Sequence, residues 1–267
     1  MVAVPLIAGL AGCAKLDRTL VPLADLPTCP PQNAAGLAAH QDPLGPHSTT
    51  RTLECTLAFL RGTRDPALLR SPLGSRMALH LAERNSDPEQ RRSLAAEGVR
   101  FAEKALALGA DRDGAVHYYL AANLGLAVRD DAARAAENLP RLEAEIKRAV
   151  EIDAGLDDGG PLRLLGMLYL KAPPWPIGIG DGDKALQLLR QAAERYPEHP
   201  LNHLFYAQAL WESEEDDAED RTRAELAIGK QRLAEGDWGY STAAWQQEFS
   251  QFERNISART PDAAVRA

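Results

Sequence analysis

The chain is short of aromatic residues, of cysteine and of positive charge, and each shortage excludes something. Phe, Trp and Tyr make up 6% of the 267 residues. Convincing runs of alternating β-branched residues are missing as well, so a sheet fold has little to build on. Formal net charge is −8. Such a chain lacks the cationic surface that displaces counterions, which argues against nonspecific nucleic-acid binding. There is no HExxH pattern, no EF-hand spacing, no nucleophile elbow and no paired Cys/His array. Nothing in the pattern speaks for catalysis, a metal or a cofactor, and an enzyme is not expected.

Alanine and leucine are abundant, and turn signals recur after helix-length segments. That composition predicts an all-α protein, built either as a stacked array of helical hairpins or as a more compact α-α bundle. A chain of 267 residues can bury a substantial core in one array or at most two domains.

Residues Met1 to Cys13, MVAVPLIAGLAGC, are apolar and uncharged. The run is too short to span a bilayer as a helix. Leu10-Ala11-Gly12-Cys13 matches the lipobox of bacterial lipoproteins, in which small residues fit the signal peptidase and the cysteine thiol takes the lipid. Residues 1–13 are thus expected to be a lipoprotein signal segment, with Cys13 as the lipidated residue. The usual basic n-region is absent, as a start codon chosen too far downstream would produce. Ala14 rather than Asp follows the cysteine, which by the usual rule directs such a protein to the outer membrane, facing the periplasm. Cys29 and Cys55 are then left as an even pair, a disulfide candidate in an oxidising compartment and two free thiols in a reducing one. Residues 14–48, rich in Pro, Gly and Ala, read as a tether.

A helical domain is expected over 49–257, with a disordered tail over 258–267. Its first helix runs from about Thr50 to Arg61. Asp65-Pro66, Ser71-Pro72 and Asp87-Pro88 look like N-cap and N1 pairs, where proline loses no hydrogen bond. Further helices are predicted over Ala115 to Ala127, Leu139 to Ile152 and Arg223 to Ala234. The last runs from Thr242 to Ile256, with Trp245, Phe249 and Phe252 on one face. The acidic run Glu212 to Asp220 reads as a solvated loop leading into a helix N-terminus, which favours negative charge. His117 reads as a packed or surface residue. His199 and His203 are four apart, but Pro200 between them argues against a zinc pair on one helix.

The most informative stretch is Gly159 to Trp211. Leu162, Leu165 and Tyr169 mark one helical face, and Ala185, Leu189, Ala192 and Tyr196 mark another. Asp181 suits the N-cap of the second helix. Small residues at Gly166, Ala185 and Ala192 would let neighbouring helices approach closely. Leu165-Gly166, Tyr169, Ala185, Leu189, Ala192 and Pro197 resemble the tetratricopeptide repeat (TPR), a helix–turn–helix of roughly 34 residues. The departure is the segment APPWPIGIG, residues 172–180. Its three prolines and two glycines exclude a continuous helix and leave a long loop holding Trp175, Ile177 and Ile179. Such a loop either plugs a gap in the core or carries function.

Gly159-Gly160, Pro161, Arg163, Gly166, the Pro174-Trp175-Pro176 run, Gly180-Asp181, Lys184-Ala185, Pro197, Asn202 and Tyr206-Ala207 together resemble the T-component family of TRAP transporters. The resemblance is sharp over about 50 residues. It implies a helical, non-enzymatic envelope lipoprotein with TPR-like repeats, whose partner is a periplasmic solute-binding protein or another envelope protein, and it leaves an oligomer open. Arg163, Tyr169, Trp175, Asp181, Asn202 and Tyr206 are the candidates for a partner or ligand surface, or for a pocket beneath the loop. Arg163 and Asn202 are equally suited to tying the loop to the helices. The alternative role is a general scaffold for envelope assembly without transport.

Overall fold

The computed structural model of the chain describes residues 29–31, 36–37 and 44–259. By its contacts the chain divides into two units, residues 1–31 and 32–267. Of the first unit, Cys29, Pro30 and Pro31 are described and have no regular structure. The expected signal segment with Cys13, and most of the expected tether, lie outside the described residues. Cys29 and Cys55 are both disulfide-bonded.

The second unit is all-α. Its described residues form eleven α-helices and no strand. These are α1 (Thr50–Gly62), α2 (Pro66–Arg70), α3 (Leu73–Glu83), α4 (Pro88–Ala107), α5 (Gly114–Val128) and α6 (Ala132–Asp153). There follow α7 (Gly160–Lys171), α8 (Gly182–Arg195), α9 (Pro200–Trp211), α10 (Ala218–Glu235) and α11 (Thr242–Arg259). Aspartate starts most of them. Asp65, Asp87, Asp113, Asp131 and Asp181 each accept a hydrogen bond from a backbone N–H of the first turn, satisfying donors that the helix itself cannot.

From α3 onward consecutive helices pack as pairs, α3 with α4, α5 with α6, α7 with α8 and α9 with α10. The first helices also touch in series, α3 to α5, α5 to α7 and α7 to α9. The core is accordingly laid down in layers. Leu53, Leu57, Met77 and Leu81 form one near the start. Ile146, Leu165 and Tyr169 belong to a middle layer. Leu204, Leu226, Phe249 and Phe252 form the last, where α11 closes the row. Close approach depends on small residues as expected. Ala185 and Ala192 are fully buried, and a Cβ on Gly166 would stand 2.6 Å from Leu189.

A second repeat runs through the first helices. Their fourth residues are Arg76, His117, Arg163 and His203. Three of these side chains reach a carbonyl six residues earlier: His117 Nε2 to Asp111 at 3.1 Å, Arg163 Nη2 to Asp157 at 3.2 Å and His203 Nε2 to Pro197 at 2.8 Å. Each hooks the preceding turn onto its helix. A carbonyl can only accept, so Nε2 of each histidine carries a proton. The other ring nitrogens lie 2.6 Å from Glu145 and 2.7 Å from Glu225 on the paired helices.

Several predicted boundaries shift. Helix α6 begins at Ala132 rather than Leu139 and passes through Pro140. That proline is exposed, so the backbone bond it removes is lost on the solvent side. The α3 cap is Pro72, with Ser71 Oγ accepting from Leu73 N at 3.4 Å. Helix α10 takes in the end of the acidic run, with Glu219 and Asp220 in its first turn. The expected tail is helical as far as Arg259. The expected tether is fixed at its end, because Arg84 donates to the carbonyls of Gly45, Pro46 and Ser48.

Candidate functional site

Arg163 and Asn202 meet, but not to serve a pocket beneath the Pro-Trp-Pro loop. Arg163 is 6% exposed and Asn202 0%. Arg163 Nη1 donates to Asn202 Oδ1 at 2.7 Å and to the Asp158 carbonyl at 3.2 Å, while Nη2 pairs with the Asp157 carboxylate at 2.9 Å. Asn202 Nδ2 donates to the carbonyls of Asp158 at 2.9 Å, Tyr196 at 2.8 Å and Ala192 at 3.2 Å. The turn they hold is the one between α6 and α7. Asp157, Asp158 and Gly159 there all have positive φ, of 50°, 48° and 86°. Two consecutive aspartates in the left-handed region are strained and need this support. Tyr118 of α5 joins by donating to Asp157 at 2.8 Å. Burial, then the Asp157 charge, push its hydroxyl pKa up, so it stays a donor.

The 172–180 loop stands apart from that hub. A bridge joins Pro174 to Gly180, and Gly180 N donates to Pro173 O at 2.8 Å. Asp181 N donates to the Tyr169 carbonyl at 3.0 Å, which fastens the loop's exit to α7. A Cβ on Gly180 would lie 2.2 Å from the Ala172 carbonyl, so the two legs can close only on glycine. The Trp175–Pro176 peptide bond is cis. At the tip Trp175 is 84% exposed and Ile177 83%. Neither plugs the core, while Ile179 packs against it.

The other candidates belong to the framework. Tyr169 is buried and donates to Glu143 at 2.6 Å. Asp181 accepts from Lys184 N at 3.0 Å and pairs with its ammonium at 2.8 Å. The bond from the Lys184 side chain, then that from its backbone, hold the Asp181 carboxyl below its ordinary pKa. Tyr206 is buried, and its hydroxyl accepts from Arg221 of α10. Of the six candidates, Trp175 alone presents a large surface to solvent.

One recess was not foreseen from the sequence. A groove of about 410 Å³ opens between α7, α9 and α11. Met167, Phe205, Trp211 and Phe252 supply its apolar walls, and Glu248 of α11 stands among them. At the rim Lys171 pairs with Glu212 at 3.0 Å. The spacing of Trp245, Phe249 and Phe252 reveals the core-facing side of α11. It cannot show that the neighbouring side faces two other hairpins.

His199 and His203 do not converge. His203 is spent on Glu225 and Pro197, whereas His199 packs against Trp238 and Trp245, with ring centres 5.3 and 5.1 Å away. Among the described residues no group of three or more His, Cys, Asp or Glu is gathered to hold a metal ion. No helix among them is long and apolar enough to cross a membrane. No protein-family model matches the chain, and no curated protein matches it at a significant level.

Proposed function

We propose that the chain is a non-enzymatic, TPR-like adaptor of the bacterial envelope, similar in role to the T-component of TRAP-type transport. On this reading it is held at the outer membrane through lipid on Cys13. It engages a periplasmic solute-binding protein, or another envelope protein, through the 172–180 loop. The observation that carries the proposal is the exposure of Trp175 and Ile177 on a loop tied at both legs. A large apolar side chain held in water on ordered backbone loses little entropy when it docks, and aromatic residues of this kind anchor interfaces.

The test is a cross-linked pull-down from native membranes, with the protein expressed from its chromosomal gene. The reading predicts recovery of a periplasmic solute-binding protein, lost when Trp175 and Ile177 become Ala. Recovery of envelope-assembly proteins alone would replace the transport role with general scaffolding. A protein found only in the cytosol, without lipid, would remove the envelope role altogether.

A further inference from the structure

The groove between α7, α9 and α11 has no part in that reading, and its chemistry differs from that of the loop. Its volume of about 410 Å³ suits a small molecule rather than a protein chain. Phe205, Trp211 and Phe252 give it aromatic walls, set among the amides of Gln208, Gln251 and Asn255. Glu248 stands among them, and among the described residues no ion pair reaches it; Lys171, which lines the same groove, is paired with Glu212 at 3.0 Å. The groove therefore holds one uncompensated negative charge. Partial desolvation pushes the Glu248 carboxyl pKa up, although the residue as a whole is exposed.

Three ligand classes can be weighed against this lining. An anion meets the uncompensated Glu248 charge and is repelled. A neutral apolar molecule takes more water from Glu248 without replacing it, which costs free energy. A cation on an apolar body satisfies both features, because its charge faces the carboxylate and the aromatic faces while its body fills the walls. We propose that the groove is a binding site for a small organic ammonium ion.

The experiment is isothermal titration of the full chain at neutral pH and fixed salt with three probes of one shape: phenethylammonium, 2-phenylethanol and 3-phenylpropionate. The site predicts one-to-one binding of the ammonium, at least tenfold weaker binding of the alcohol and no binding of the carboxylate. Glu248→Gln should weaken the ammonium at least tenfold, while Gln246→Ala, outside the groove on the same helix, should leave it unchanged. Equal affinity for the alcohol, preference for the carboxylate, no heat with any probe, or an unaltered Glu248→Gln protein would each overturn the proposal. The probe series decides even if the substituted protein fails to fold. Because it involves neither the loop nor a partner, its failure is separate from failure of the adaptor reading.

Discussion

The guanidinium of Arg84 lies 4.1 Å from the ring centre of Tyr240, so the end of α3 is fastened to the turn that precedes α11. The contact has several strands. Tyr240 N donates to the Pro46 carbonyl at 3.2 Å, and that same carbonyl accepts from Arg84 at 3.2 Å. The Tyr240 hydroxyl donates to Glu83 and sits 3.3 Å from His80 Nδ1. Burial first, and then the Glu83 charge, push the tyrosine pKa far up, which keeps the hydroxyl a donor. The first and last parts of the helical unit are thereby joined.

Tyr240→Leu should destabilise the protein by about 1–3 kcal/mol, the combined scale of one cation–π contact and one hydrogen bond. Chemical denaturation measures it. A double-mutant cycle with Arg84→Met should return a coupling of about 0.5–2 kcal/mol. Strictly additive effects would show that the contact is not formed in solution.

The Arg163 hub makes a comparable demand. Arg163→Met leaves Asn202 Oδ1 without its donor and the Asp157–Asp158 turn with only Tyr118 and Asn202 to hold it, and should cost about 1–3 kcal/mol. Asn202→Leu takes one of two donors from each of three carbonyls and leaves Arg163 Nη1 without its Oδ1 acceptor, and should cost about 1–3 kcal/mol. Hydrogen exchange should show the loss first at residues 156–160, where the left-handed turn is held. A loss of under about 0.5 kcal/mol from either substitution, the scale of an ordinary surface change, would contradict the hub.

His199 predicts an acid dependence. Burial first, then the charges of Arg163 and His203, lower its pKa to about 2. The unfolded chain binds a proton there near pH 6.5, whereas the folded chain does not until about 2. The contribution to stability is therefore full above pH 6.5 and lost as pH falls through that window. The slope for one such group approaches about 1.4 kcal/mol per pH unit below pH 6. His199→Phe should flatten the stability–pH curve by that amount relative to the parent. Parallel curves would show that His199 does not stay neutral in the fold.

Asp181 should behave as a helix cap. Asp181→Ala is expected to cost about 1 kcal/mol in thermal or chemical unfolding, and Asp181→Asn less. A cost above about 3 kcal/mol would mean that the side chain does more than cap α8 and pair with Lys184.

Much of the fold is legible in the sequence because it rests on local chemistry. Asp65, Asp87 and Asp181 act where an acid precedes an apolar period, and Gly166, Ala185 and Ala192 lie where helices come together. The start of α6 is hidden because Pro140 looks like a boundary, and only its place on the wet side allows the helix to continue. The candidate site is less legible. Arg163, Asn202 and Tyr206 carry polar chemistry, but what they bond is decided by turns and helices far along the chain. Trp175 could equally have been core, and the loop's own closure on Gly180 sets it in solvent. Glu248 carries no local signal, since its surroundings come from α7 and α9.

The central claim is that the Trp175–Ile177 tip is where a partner docks. A photo-activated cross-linking amino acid placed at position 177 of the full-length protein, irradiated in the native host, tests it directly. The account predicts covalent capture of a periplasmic solute-binding protein at position 177 and none at position 246. No adduct at 177, or the same adducts at both positions, would contradict it.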